Sequence, residues 1–277
     1  MLKKSLALAI ALFGLAACSA ALAIEALPPL KFGVAPQQSA SNLVQLWTPL
    51  FQLLTEKTGY EFEFHTARDV DGYEKRLDVG EFDIAYMNPY HYTVVHKSVG
   101  YDVFAKEKNR RMKGIIVVQR DSPYRTLNDL HGATIAFPGP AAFAATLLPL
   151  AEFRKLGVRV SFEYVATHNS VYLSVNKGLY AAGGSIRSIF EHLDPTIGRG
   201  LRVLWESEGY TPHAIAAHPR VPTQVLEKIK HAMFELENEA AGREALNRIN
   251  FNGIVPAKDA EYEDIRAIGD YIVEKSR

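Results

Sequence analysis

The sequence predicts an α/β protein, two α/β lobes joined by two hinge strands. Three observations carry that expectation. β-rich segments alternate with segments of helical period, the alternation runs twice along the 277 residues, and it is interrupted at two places where the chain would cross between lobes.

The N-terminus comes first. Met1 to Lys4 carry two lysines, and Ser5 to Ala17 are uncharged and mostly apolar. That run is too short to span a bilayer and matches a secretory signal, so residues 1–23 are expected to be an export signal. Leu15-Ala16-Ala17-Cys18 reads as a lipobox, with lipidation expected at Cys18; ordinary cleavage after Ala21-Leu22-Ala23 is the other reading. Both place the protein outside the cytoplasm, as a periplasmic or membrane-anchored extracytoplasmic lipoprotein. Cys18 is the single cysteine, so no intrachain disulfide forms.

Leu30 to Val34 alternates and is β-rich, a first strand. In Asn42 to Lys57, Leu43, Leu46, Trp47, Leu50, Leu53 and Leu54 recur at helical spacing, and Gly59 stops the helix. Tyr60 to His65 is a strand, Val70 to Val79 a short helix, and Phe82 to Tyr86 a third strand. That order requires parallel pairing. Gly114 to Gln119 is a β-branched run entering the second lobe, followed by a short helix at Thr126 to Leu130 and a strand at Thr134 to Phe137. A long apolar helix is expected over Ala141 to Leu156, a strand over Val158 to Val165, a helix over Ser170 to Lys177 and a strand over Leu201 to Glu206. Ala214 to Ala217 is a strand, and helices follow at Thr223 to Leu236, Glu239 to Ile249 and Ala260 to Lys275. With crossings near 108–114 and 208–212, the first lobe takes residues 28–110 plus 213–277 and the second 111–212.

Composition bounds the function. Hydrophobic content of 48% and charged content of 22% suit a packed core. Basic and acidic residues balance at 31 each, and losing Lys3 and Lys4 leaves a slight acidic excess, which argues against nucleic acid. Nine histidines are scattered without H-E-x-x-H, and neither a G-x-S-x-G elbow nor a P-loop lysine is present. No cofactor, no metal and no catalytic residue is therefore expected. The acidic clusters at Asp69 to Asp71 and Glu261 to Asp264 read as solvated helix ends.

Five ordered segments carry a resemblance: FGVAPQQSA from Phe32, TPLFQLLTEKTG from Thr48, GEFDIAYMNPYHY from Gly80, LNDLHGATIAFPGPAAF from Leu127, and the helix from Ser170 leading into AAGGS at Ala181 to Ser185. They resemble the phosphate/phosphite/phosphonate-binding components of ABC transporters, a branch of the type II periplasmic binding proteins. The resemblance covers about residues 30 to 270. It implies a type II periplasmic binding protein fold and a solute-binding protein that captures a small anionic, phosphate- or phosphonate-like ligand for a membrane permease. A sensory receptor serving a membrane histidine kinase or cyclase is the alternative of the same class. An enzyme on this fold, of the pyrimidine-precursor or thiamine-degrading kind, is a third reading; it needs a catalytic cysteine or a histidine cluster, and the single cysteine lies in the expected signal. Where phosphonate binders carry Ser, Thr and Ser in the second-lobe loop, this chain reads Pro138-Gly139-Pro140-Ala141-Ala142-Phe143. That leaves the N–H groups of Ala141, Ala142 and Phe143 as donors at a helix start.

Ligands of open α/β sheets bind beyond the carboxyl ends of strands. Gln37, Gln38 and Ser39 follow the first strand there and offer amide and hydroxyl groups, or else form a solvated loop. Tyr86, Asn88 and Tyr90 follow the third, where a phenol or amide suits a mostly apolar pocket, or else they pack into the core beneath the cleft. His168 and Ser170 open a helix after a second-lobe strand, as ligand donors or as a loop histidine and a helix cap. Gly183-Gly184-Ser185 permits close approach, with Ser185 in the site, and Arg187 beyond it is an oxyanion partner or a surface ion pair.

Overall fold

The structure, a computed structural model, describes residues 28–274, with side chains through 268. The export signal and Cys18 lie outside the described residues. Two sheets organise the chain. The six-stranded sheet has order β11-β4-β10-β3-β1-β2, built from β1 (Leu30–Val34), β2 (Phe62–His65), β3 (Ile84–Met87), β4 (Asp102–Glu107), β10 (Ala214–Ala217) and β11 (Ile254–Pro256). The five-stranded sheet has order β7-β6-β8-β5-β9. Its strands are β5 (Gly114–Gln119), β6 (Thr134–Phe137), β7 (Ser161–Tyr164), β8 (Ala182–Ile186) and β9 (Leu201–Glu206). This is the type II periplasmic binding protein fold, two α/β lobes with hinge strands between them. The strands cross side by side, joined by an antiparallel bridge between Met112 and Tyr210.

In the first lobe β1 pairs parallel with both β2 and β3, as strand-helix-strand order demands. Helix α1 (Ala40–Thr58) packs Leu43, Trp47, Leu50 and Leu54 inward, and Gly59 ends it with φ 75°. Helices α2 (Val70–Asp78) and α3 (Pro89–Ser98) follow β2 and β3. The chain returns from the second lobe as β10, which enters between β3 and β4 antiparallel to both. Ala214 pairs with Met87, so the residue before β10 arrives beside the residue after β3. Helices α8 (Thr223–Glu235), α9 (Ala240–Arg248) and α10 (Glu263–Glu274) complete this lobe. Asp264 of α10 accepts from the Thr211 backbone N–H at 2.9 Å and pairs with Arg111 at 3.3 Å, fastening both crossing segments.

In the second lobe the run Ile115-Ile116-Val117-Val118 is apolar throughout because β5 is covered on both faces. Ile116 and Val118 join Phe137 and Phe153 on one side; Ile115 and Val117 join Tyr172 and Val175 on the other. The expected helix over 141–156 divides. A π-helical turn over Phe143–Leu147 precedes α4 (Leu148–Lys155). The turn lies so close to the sheet that a Cβ on Gly114 would stand 2.1 Å from the Ala144 carbonyl oxygen, and one on Gly184 2.0 Å from that of Ala145. Glycine at 184 thus serves the approach of a helix, and 182–186 is a buried strand. Helix α5 (His168–Asn176) follows β7, and two short helices, α6 (Arg187–Glu191) and α7 (Pro195–Gly198), precede β9.

Candidate functional site

The carboxyl ends of β1, β3, β6, β7 and β8 and the start of β10 converge between the lobes on two adjoining chambers. The inner one, about 30 Å³, is lined by residues including Asn88, His91, Phe143, Ala144, His168 and His213. The outer one, about 460 Å³, includes Gln38, Tyr86, Glu107, Arg110, His192 and Phe251 in its wall. Gln37, Met112, Ile186 and His213 belong to both.

Asn88 organises the first-lobe wall. It caps α3, with Oδ1 accepting the His91 backbone N–H at 2.8 Å. Nδ2 therefore faces the other way, donating across the cleft to the Ala141 carbonyl oxygen and to His91 Nδ1, both at 3.1 Å. Because an amide nitrogen only donates, His91 Nδ1 accepts and the ring proton sits on Nε2. That buried nitrogen has no hydrogen-bond partner, and a Glu74 carboxyl oxygen lies 3.9 Å away.

His213 stacks on Tyr86 with ring centroids 4.8 Å apart, and the Gln37 amide nitrogen donates to its Nε2 at 2.9 Å. His168 enters from the second lobe at the start of α5. Thr167 caps that helix, after Ala166 turns the chain at φ 71°, a conformation costly for alanine. His168 Nδ1 lies 2.8 Å from the Ser185 hydroxyl, which lies 2.6 Å from the Tyr172 hydroxyl. Burial holds all three imidazoles neutral: His91 and His168 fall to about 4, and His213 to about 3 with its two neighbours adding to the effect. Among the described residues, no lysine, arginine or carboxylate lines the inner chamber. The outer chamber holds fixed charge, a Glu107–Arg110 pair at 2.8 Å in which burial raises the carboxyl despite the guanidinium.

A cleft of this kind, with neutral donors inside and a hinge behind, suits capture of a small polar solute. The family described as ABC transporter, phosphonate, periplasmic substrate-binding protein matches residues 32–262. The chain belongs to this family. This binding protein is 24% identical over 269 residues to the phosphate-import protein PhnD of Mycolicibacterium smegmatis, covering 85% of the chain and 83% of that relative. Its fold matches a binding protein component of an ABC phosphonate transporter from Pseudomonas aeruginosa with TM-score 0.81, at 19% identity over 87% of this chain and 85% of that one. PhnD1 from Prochlorococcus marinus in complex with methylphosphonate also gives TM-score 0.81, at 16% identity, covering 87% and 97%. The family is periplasmic, and no helix among the described residues is long and apolar enough to cross a membrane.

The binding protein brings Gln37, Gln38, Tyr86, Asn88, Ala142, Phe143 and His168 to the chamber walls. Six other residues singled out from the sequence stand elsewhere. Ser39 caps α1, accepting from Asn42. Ser170 bonds Thr167 within the α5 cap. Ala141 reaches the site only through its carbonyl oxygen, and Tyr90 packs against the first-lobe core. Ser185 lies behind His168, and Arg187 pairs with Glu191 and Glu206. The Asp264 cluster is correspondingly no mere solvated end, since it holds the hinge. His91, His213, Met112 and the Glu107–Arg110 pair were missed. His213 is brought in by the register of β10 against β3, which no local pattern signals.

Proposed function

We propose that this protein captures a small tetrahedral oxyanion of the phosphate or phosphonate type where the two chambers meet, and delivers it to an ABC permease. The observation that carries the reading is the inner chamber itself, whose wall takes His91 from the first lobe and, from the second, His168 and the N–H groups opening the Phe143 turn, which have no partner within their own helix; the buried Nε2–H of His91 also has no hydrogen-bond partner. The outer chamber gives room for an organic substituent on the oxyanion. Contacts made from both lobes at once favour the closed state, so ligand and hinge are coupled. The lobes take residues 28–110 with 213–277 and residues 111–212.

Thermal shift with phosphate, phosphite and methylphosphonate tests this. A ligand at about 100 times its Kd stabilises by about 2.7 kcal/mol; no shift with any of them contradicts the reading. We also propose that Cys18 carries a lipid anchor, supported by the basic, apolar and Leu-Ala-Ala-Cys order before it. Cys18→Ser is expected to move the protein from membrane to soluble fractions, and unchanged fractionation contradicts the anchor.

A further inference from the structure

The three imidazoles of the inner chamber differ in what their hydrogen bonds allow. His91 is locked. Asn88 has its oxygen committed to a backbone N–H, so Nδ2 must donate to His91 Nδ1, and a second ring proton there would meet a donor. His213 Nε2 likewise faces the donating Gln37 amide. His168 stands apart. Its Nδ1 meets the Ser185 hydroxyl, and Ser185 meets the Tyr172 hydroxyl. Both hydroxyls rotate and both donate or accept. In one direction Tyr172 donates to Ser185 and Ser185 donates to Nδ1. In the other, Nδ1–H donates to Ser185 and Ser185 donates to Tyr172. Either direction leaves no hydrogen bond broken.

We propose that His168 takes up a proton as the oxyanion enters, the Ser185–Tyr172 hydroxyl pair reversing to receive its Nδ1–H, while His91 stays neutral as a fixed donor. This rests on the oxyanion reading of the cleft given above. Charge supports it: the inner chamber offers no lysine or arginine to an anion. The other ionisable groups facing these rings are Tyr73 and Glu74 beside His91, Tyr86 on His213, Tyr172 beyond Ser185, and the Glu107–Arg110 pair in the adjoining chamber. Burial keeps His168 neutral while the cleft is empty, and an anion within about 4–6 Å moves it back toward the charged form by about 1–3 pH units. The proton comes from solvent and returns there when the ligand leaves.

Titration calorimetry with methylphosphonate, in two buffers of different ionisation heat at pH 5.5, reads the proton directly. Uptake of up to one proton per ligand is expected, with Kd weakening by up to about tenfold per pH unit as pH rises from about 5.5 to 7. In His168→Gln the uptake and the pH slope should disappear while binding persists. In Ser185→Ala the slope should fall, because a buried Nδ1–H would lack its acceptor. His91→Gln should keep the slope and lose affinity. Binding without proton uptake overturns the proposal and leaves the oxyanion reading standing. An undiminished slope in His168→Gln puts the proton on the ligand and overturns it too. No binding between pH 5.5 and 8.5 removes both.

Discussion

The two chambers of the cleft share walls but handle charge in opposite ways. The outer one holds a fixed carboxylate–guanidinium pair, the buried Glu107 and the part-exposed Arg110. The inner one holds three buried imidazoles and backbone groups, with no permanent charge among its described walls. A permanent charge at that depth would need a partner in the empty protein. Imidazoles avoid the cost by staying neutral until an anion arrives. The contrast separates a region that tolerates substituents from a region that recognises the head group.

The largest effect expected from this contrast is on stability in acid. The folded-state values of His91, His168 and His213 lie below the ordinary 6.5, so the unfolded chain binds more protons between about pH 6.5 and 4. Stability is therefore present above pH 6.5 and lost as pH falls through that window, by a few kcal/mol per imidazole. Glu74 and Glu107, raised by burial, act in the opposite sense. Urea unfolding at pH 7.5, 5.5 and 4.5 should show the loss, and added methylphosphonate should lessen it; a flat profile breaks the contrast.

Asn88→Ala comes next. It removes a helix cap, the bond to Ala141 across the cleft and the hold on His91. Loss of the cap alone costs about 1 kcal/mol, and methylphosphonate affinity should fall roughly tenfold to a hundredfold, as for one or two buried hydrogen bonds. Unchanged affinity by calorimetry removes Asn88 from the site. Arg110→Ala sharpens the comparison from the other chamber. It leaves Glu107 buried and unpaired, so it should lower the melting temperature while shifting methylphosphonate affinity less than Asn88→Ala does. The smallest effect is expected for Arg187→Ala. Its ion pairs are partly exposed, so stability should stay within about 0.5 kcal/mol and affinity should not change.

The same contrast marks what the sequence made legible. Parallel strands and the helix after β1 followed from period and punctuation, because each is a local signal. Asn88 and His168 were readable as loop residues beyond strand ends. Helix α3 and strand β4 were not, since Tyr92, Tyr101 and Phe104 are buried against distant partners rather than patterned along one face. The glycines at 183 and 184 read as permitting close approach to a ligand, yet Gly184 makes room for the π-helical turn at Phe143–Leu147. His213 depended on β10 inserting between β3 and β4, a pairing between residues more than a hundred positions apart. Local chemistry found one histidine of the inner chamber; His91 arrives in the first turn of the helix that Asn88 caps, and topology supplied His213.

The most direct test follows the imidazole nitrogens by long-range 1H–15N spectroscopy while methylphosphonate is added at pH 5.5. An oxyanion held where the two chambers meet predicts that the His168 nitrogens move to the doubly protonated pattern, with His91 shifting as a neutral Nε2–H ring. Saturable binding that leaves the signals of His91, His168 and His213 unmoved would place the ligand elsewhere and contradict the account.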